Sequence, residues 1–411
     1  MIREIYKVVN NEFTIGISNN EINDVRRKKI EKTSVRVYKE NLIGVAGKIG
    51  STSIEELEKQ ALNKLSFKIS YPFEPTRDIN KKLILENKLP DEENFFKDVE
   101  DILNKLKQEN QDFIFSNKQK LLNTYAHMEN SAGLNLEYKA SFTELVFLFK
   151  HRESANIIDG YVALDGFEYN KEEFLKISNE ILEAFRNKLD SFNDGKYPVI
   201  FLESDMAYKT KMYQALHGLV FGSGSSIFSE KLNQKLFNES FTFYQTKSPE
   251  DGYFGPFFDT EGTVNNEFKY NLIENGILKS PYTSKKYSKI FNLPLTGAAG
   301  GDYDDVPDIG YVSLHVKSSQ KTLQELMNGR KGIFVLITSG GDFTPDGKFG
   351  APVQVPLLWE NGKFIGRLPE IVIESHIYDM FGKDFIGVSK DSLISTSHMN
   401  CIVMEMNVRK Y

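Results

Sequence analysis

Cysteine is almost absent from this chain. Cys401 is the only one in 411 residues, so no intrachain disulfide can form, and a reducing compartment is implied. Tryptophan is as scarce, with Trp359 alone. Long apolar runs are missing too. None reaches the roughly 20 residues that a helix needs to cross a bilayer. The leading MIREIYKVVNNEF lacks the apolar centre and small-residue cleavage site of a secretory signal. A cytoplasmic protein with no membrane association is the expectation. Positive charge is not in excess either. With 51 basic and 57 acidic residues the formal net charge is −6, and no basic stripe suited to a nucleic acid is present.

What is there is an ordinary globular composition, 40% hydrophobic and 26% charged. The 31 Phe and 19 Tyr suit a large β-rich core. Alternation of apolar and polar residues predicts strands at Phe13–Ser18, Ser34–Tyr38 and Leu42–Ala46. Ser53 and Glu56 have capping-box spacing and predict a helix to about Leu65. Residues 70–92 are polar and proline-bearing and read as a connection. Phe95, Phe96, Val99, Ile102, Leu103 and Leu106 then line one helical face. Strands follow at Leu121–Met128, Leu134–Tyr138 and Thr143–Phe149, and a second amphipathic helix at Lys171–Leu189. A turn at Asn193–Lys196 marks the expected boundary, with an α/β sandwich-like N-terminal domain over 1–195 and a β-rich C-terminal domain over 196–411. The latter opens with a buried strand at Tyr197–Leu202 and a helix from an Asp205 N-cap to about Phe221, within a helical segment over 205–237. Strands and turns dominate afterwards, with helical pieces at Lys321–Met327 and Ser375–Phe381. The fold class is α+β.

The stretch Phe257–Gly301 concentrates the signals. Asp259 and Glu261 flank Thr260 before Gly262. On a strand their i, i+2 spacing puts both carboxylates on one face, where repulsion raises one pKa. That makes them candidates for an acid/base pair or a cation site. The competing structural reading is a carboxylate satisfying backbone N–H groups in a tight turn. Glu274-Asn275-Gly276 is a hairpin signal. Thr296-Gly297-Ala298-Ala299-Gly300-Gly301 is a loop whose backbone another chain or ligand could approach closely.

This order of parts resembles the TldD/PmbA family, known as modulators of DNA gyrase and associated with metallopeptidase complexes. Asn130-Ser131-Ala132-Gly133-Leu134 resembles the family's N-terminal signature. Leu272–Leu278 and the Gly297–Gly301 loop resemble its central block, Gly341-Asp342-Phe343-Thr344 its Gly-Asp-Phe-Ser element, and Trp359-Glu360-Asn361-Gly362 its second hairpin. The resemblance implies a zinc peptidase helix, His-Glu-x-x-x-His, in the TldD-like branch. The corresponding stretch here is His217-Gly218-Leu219-Val220-Phe221-Gly222. Gly218 stands at the Glu position and Gly222 at the second His position, so His217 is left as a lone imidazole and the general base is missing. The chain therefore looks like the TldE/PmbA branch. The resemblance then implies no metal in this chain, zinc in a TldD-like partner subunit, a heterodimer with that subunit or a homodimer, and a peptide substrate. Asn130, Ser131, Gly133, Gly297, Gly300, Gly301, Gly341, Asp342 and Phe343 are the candidate substrate or interface residues, and His217, Asp259 and Glu261 the weak catalytic candidates.

Other features have plainer readings. His127, His151, His315, His376 and His398 show no ligand spacing to another His, Cys or carboxylate and read as structural or solvated. His398 and Cys401 are placed on opposite faces of a strand by their offset, which leaves Cys401 a buried, inert thiol. Gly222–Ser226 lacks the Lys of a phosphate loop and the strand-turn-helix setting of a nucleophile elbow, and reads as a connection. Two alternatives to the partner-subunit reading stay open. One is an autonomous hydrolase in which His217 recruits Glu203, Asp205 or Asp259 to a metal. The other is a homodimeric peptide- or protein-binding protein.

Overall fold

A computed structural model describes residues 1–190, 192–393 and 400–411. Its N-terminal sheet holds β1 (Ile2–Ser18), β2 (Glu21–Lys39), β3 (Leu42–Ile49), β4 (Asn80–Ile84), β5 (Phe113–Asn130), β6 (Asn135–His151) and β7 (Gly160–Gly166), in the order β3-β2-β1-β5-β6-β4 with β7 also on β6. Pairing is antiparallel except for β4, which runs parallel to β6. β4 falls inside the stretch expected to be a connection. Its residues are mostly exposed, so it carries no alternation to read. The β1–β2 hairpin is also much longer than its alternating segments, because Glu21–Lys29 is almost wholly solvent-facing.

Three helices cover this sheet. Ser53 caps α1 (Ile54–Lys64) by accepting the Glu56 N–H, and Leu57 and Ala61 pack on Val35, Val37 and Ala46. α2 (Glu92–Glu109) buries Phe95, Val99, Ile102, Leu103 and Leu106 as the periodicity predicts. α3 (Lys171–Arg186) stops three residues short of Leu189, whose N–H instead bonds the Arg367 carbonyl.

The C-terminal half begins with β8 (Gly195–Leu202), followed by α4 (Thr210–Ala215) and α5 (Gly218–Gly222). Next come β9 (Phe243–Thr246), β10 (Lys269–Glu274), β11 (Ile277–Leu278), α6 (Lys285–Phe291), the short pair β12 (Ala299–Gly300) and β13 (Asp308–Ile309), and β14 (Ser313–Val316). Then α7 (Leu323–Met327), with a full Thr322/Glu325 capping box, leads to β15 (Gly332–Thr338), β16 (Asp342–Phe343), β17 (Lys348–Glu360), β18 (Lys363–Arg367), β19 (Ile371–His376), α8 (Ile377–Met380), β20 (Phe385–Ser392) and β21 (Asn400–Lys410). Pairing runs β15-β8-β21-β19-β17 and returns from β17 to β15, so the sheet closes into a barrel. Closure removes the open edges that an extended sheet exposes. Alternate β8 residues point to different cores, Val199 and Phe201 to one, Ile200 and Leu202 to the other. That second core also holds Phe334, Trp359, the α2 and α3 apolar faces and Phe113 of β5. The barrel and the N-terminal sheet thus bury one continuous apolar cluster.

The helix expected from Asp205 to Phe221 is not continuous. Asp205 Oδ1 accepts the Ala207 N–H at 2.8 Å and closes a local turn, and α4 starts only at Thr210. The break comes at Leu216–His217. The Leu216 carbonyl, which a continuous helix would offer to Val220, is taken by the Tyr282 N–H at 2.9 Å. His217 is extended (φ −66, ψ 124), and α5 restarts after it. α6 was not legible in the sequence.

Candidate functional site

Asp259 and Glu261 lie in a turn, not on a strand, which corrects the expected geometry. Gly262, at φ +71, closes the turn. Asp259 Oδ1 accepts the N–H groups of Glu261 (3.0 Å) and Thr263 (2.8 Å), and Oδ2 accepts that of Ala299 (3.0 Å). One carboxylate therefore shapes the turn and ties it to the glycine loop. Thr260 Oγ1 donates to the Gly300 carbonyl at 3.1 Å. Gly300 must be glycine here, because a Cβ would sit 2.6 Å from the Gly310 Cα. Glu261 is buried. Its Oε1 accepts from the Tyr71 hydroxyl (2.8 Å), its Oε2 from the Lys285 N–H (2.9 Å), and its carbonyl from Thr76 Oγ1 (2.7 Å).

The N-terminal signature turn meets this one. Asn130 Oδ1 accepts the N–H groups of Ala132 and Leu134, while its Nδ2 donates to Thr76 O (2.7 Å) and Glu4 Oε2 (3.2 Å). Glu4 Oε1 accepts from the Tyr38 hydroxyl (2.9 Å) and Arg36 Nη1 (3.3 Å), and Arg36 also donates to the Thr260 carbonyl. Lys285 Nζ reaches Glu74 O and Thr76 Oγ1. The structure thus brings Asn130, Asp259, Glu261 and the Gly297–Gly301 loop to one buried polar junction between the two halves. Ser131 sits at its rim, exchanging bonds with the Arg3 backbone, and Gly133, at φ +86, lies against Asp78. Two cations, Arg36 and Lys285, face three carboxylates, Glu4, Asp259 and Glu261. Burial first, and then the Asp259 charge, push the Glu261 carboxyl up to about 7. Burial lowers the Lys285 ammonium.

Gly341–Phe343 lies elsewhere, at the end of the barrel. Asp342 and Phe343 form the short strand β16 on β17, and the Phe343 ring packs tilted against Phe349 with ring centroids 4.8 Å apart. Asp342, Thr344, Lys348, Glu374 and Ser375 line an open groove beside it.

His217 joins neither group. Its Nδ1 accepts the Leu219 N–H at 3.3 Å, capping α5, and its ring lies against Tyr282 and Tyr287. Burial lowers its pKa, against a smaller raising effect of Asp308. Around it a zinc ion does not fit. The ring neighbours are tyrosines, a Cβ on Gly218 would meet the Tyr282 carbonyl at 2.8 Å, and one on Gly222 would meet the Phe291 ring at 2.2 Å. Among the described residues, no three His, Cys, Asp or Glu side chains gather as a metal-binding group.

The other titratable groups sort as follows. Glu203 is buried with His315 Nδ1 3.0 Å from its Oε2 and Lys209 Nζ 3.4 Å from its Oε1. Burial favours the neutral acid, but Lys209, His315 and the Val316 N–H outweigh it and hold Glu203 at about 2. This pairing gives His315, expected to be structural or solvated, a buried carboxylate partner. No short-range spacing could have found it, since strands far apart in the chain supply the partners. His151 approaches Asp112 (3.5 Å), His127 bonds Asn135 (2.9 Å), and His376 caps α8. Cys401 is fully buried in β21, and burial pushes its thiol up to about 12. His398 lies outside the described residues. Ser223 and Ser226 bond the Val220 and Ala215 carbonyls within a turn.

Residues 194–409 match the family model described as the PmbA/TldA metallopeptidase C-terminal domain. A metalloprotease of Methanocaldococcus jannaschii is 24% identical over 315 residues, 68% of either chain. A zinc metalloprotease TldD homolog of Saccharolobus solfataricus is 30% identical over 137 residues, 31% of this chain and 30% of that one. Among solved structures, TldE of Thermococcus kodakarensis superposes with a TM-score of 0.80 at 18% identity, covering 100% of this chain and 97% of its own. A Thermotoga maritima protein described as a candidate modulator of a DNA gyrase gives 0.76 at 17% identity, covering 99% and 96%. These likenesses establish the fold. Among the described residues, no helix is long and apolar enough to cross a membrane.

Proposed function

The chain belongs to the PmbA/TldD metallopeptidase family, and from that premise we propose that it is the non-catalytic, TldE/PmbA-like subunit of a zinc peptidase complex. The zinc and the general base come from a TldD-like partner, and the pair degrades or matures peptides. One observation carries this reading. Where a metallopeptidase helix needs two imidazoles and a carboxylate on one face, this chain breaks the helix at His217 and places Gly218 and Gly222 against Tyr282 and Phe291.

In this role the residues of the buried junction are scaffold. Asn130, Asp259, Glu261, Gly297 and Gly300 join a domain over 1–195 to one over 196–411. Gly341–Phe343 is the stretch left to meet peptide. Among the described residues β16 pairs only with β17, so its other edge can add an extended peptide strand through backbone hydrogen bonds, a sequence-tolerant mode of capture. Elemental analysis of the chain purified alone tests the assignment. Substoichiometric zinc is the expected result. About one tightly held zinc per chain, lost on His217→Ala, would overturn it in favour of the autonomous hydrolase.

A further inference from the structure

The four-stranded sheet, in the order β11-β10-β9-β14, leaves β14 as an edge. Its outward Leu314 carbonyl and Val316 N–H are capped by Lys209 Nζ and Glu203 Oε1, each at 2.9 Å. Leu314 and Val316 point their side chains into the core, so Ser313 and His315 project together from the opposite face. There His315 bridges two partners through its two ring nitrogens. Nδ1 lies 3.0 Å from Glu203 Oε2, and Nε2 lies 3.1 Å from Ser313 Oγ. Glu203 is buried, while Ser313 and His315 are both partly open to solvent. A hydroxyl, an imidazole and a buried carboxylate in that order form the constellation that activates a serine, wherever its members come from in the chain.

The surroundings supply a place for a substrate. Strand register sets Ser313 beside Thr246 and His315 beside Tyr244, with Lys269 and Asn271 on the far side of β9. Tyr244, Thr242, Lys269, Asn271, Glu274 and Lys317 line a groove of about 460 Å³ over the same sheet. The Tyr244 ring lies 6.1 Å from that of His315 and limits its rotation.

We propose that Ser313 is an activated nucleophile that takes the acyl group of a small ester lying on this face of β14, beside the groove, with His315 as general base and Glu203 as its positioning residue. Ser313 Oγ adds to the ester carbonyl carbon while its proton passes to His315 Nε2. The bond to the leaving alcohol breaks, and the imidazolium returns the proton to the departing oxygen. Water then gives a proton to His315 and adds to the acyl carbon, and Ser313 leaves with that proton. The Thr246 hydroxyl opposite Ser313 and the Lys269 ammonium one strand further on both donate to Asp251, at 2.7 and 3.0 Å, so neither is free to hold an oxyanion. Turnover is therefore slow, and covalent capture is the sensitive readout. This site lies wholly within the chain and is independent of any partner subunit or metal.

The test is labelling of the purified full chain, in the presence of EDTA, with a fluorophosphonate probe, mapped by mass spectrometry. An adduct on Ser313 is expected. It should be absent in Ser313→Ala, which keeps the Glu203 ion pairs and should melt as the parent does, and form about 100-fold more slowly in His315→Asn, compared at a temperature where that variant is still folded. No adduct on Ser313 at millimolar probe, or an adduct formed equally fast in His315→Asn, would overturn the proposal.

Discussion

Glu261→Gln should make the protein more stable at alkaline pH, although it removes a buried, fully bonded carboxylate. At the junction Arg36 and Lys285 balance two of the three carboxylates Glu4, Asp259 and Glu261, and the third is one negative charge too many. Burial and the Asp259 charge raise Glu261 from an ordinary 4.5 to about 7. Between those values the folded chain holds a proton that the unfolded chain has released. Stability therefore falls as pH rises through that window, with no loss below 4.5 and the whole loss present above about 7. The interval corresponds to a ceiling of about 3 kcal/mol. Glutamine keeps the shape and both contacts. Its oxygen can accept the Lys285 N–H and its amide can donate to the Tyr71 oxygen, with no charge at any pH. Urea unfolding followed by Trp359 fluorescence is the assay, because this lone tryptophan is buried in the core shared by the two halves. The variant should gain about 1–3 kcal/mol over the parent at pH 8.5 and match it within about 0.5 kcal/mol at pH 4. An equal loss of stability at both pH values would refute the reasoning.

Other perturbations probe separate parts of the account. Gly222→Ala drives a Cβ to 2.2 Å from the Phe291 ring and should cost about 1–3 kcal/mol by overpacking, read as a lower urea midpoint. Glu203→Ala strands the buried Lys209 ammonium and should cost about 3–5 kcal/mol. Because Glu203 is held at about 2 rather than 4.5, its contribution is whole above 4.5 and drains away as pH falls toward 2, so the variant should lack that part of the acid destabilisation seen in the parent. Asn130→Ala leaves Glu4 Oε2 and the Thr76 carbonyl without this donor and should cost about 1–3 kcal/mol, with protease sensitivity appearing at the Asn130–Leu134 turn.

Where one face of an element is buried and the other wet, the sequence was legible. Phe95, Val99, Ile102 and Leu106 declared α2, and Phe13–Ile17 declared the core-facing part of β1. Where both faces are wet, it was silent. Glu21–Lys29 and Asn80–Ile84 form strands through backbone pairing alone, so their side chains show no period. The broken helix was misread because its cause is tertiary. Nothing in residues 205–222 says that the Tyr282 N–H will claim the Leu216 carbonyl. The candidate site was legible as parts rather than as an assembly. The Asn130 turn, the Asp259–Gly262 turn and the Gly297–Gly301 loop each stood out, yet their meeting depends on Arg36, Tyr71, Thr76 and Lys285, none of which has a local signature. The Glu203–His315 pair was invisible for the same reason, its members lying 112 positions apart.

The most direct measurement is peptide cleavage by three samples: this chain alone, a TldD-like zinc subunit alone, and the two combined, with the first and third repeated using a His217→Ala version of this chain. The account predicts no cleavage by this chain, cleavage by the combination, and no effect of His217→Ala on the combined rate beyond its effect on folding. Cleavage by this chain alone that disappears with His217→Ala would contradict it.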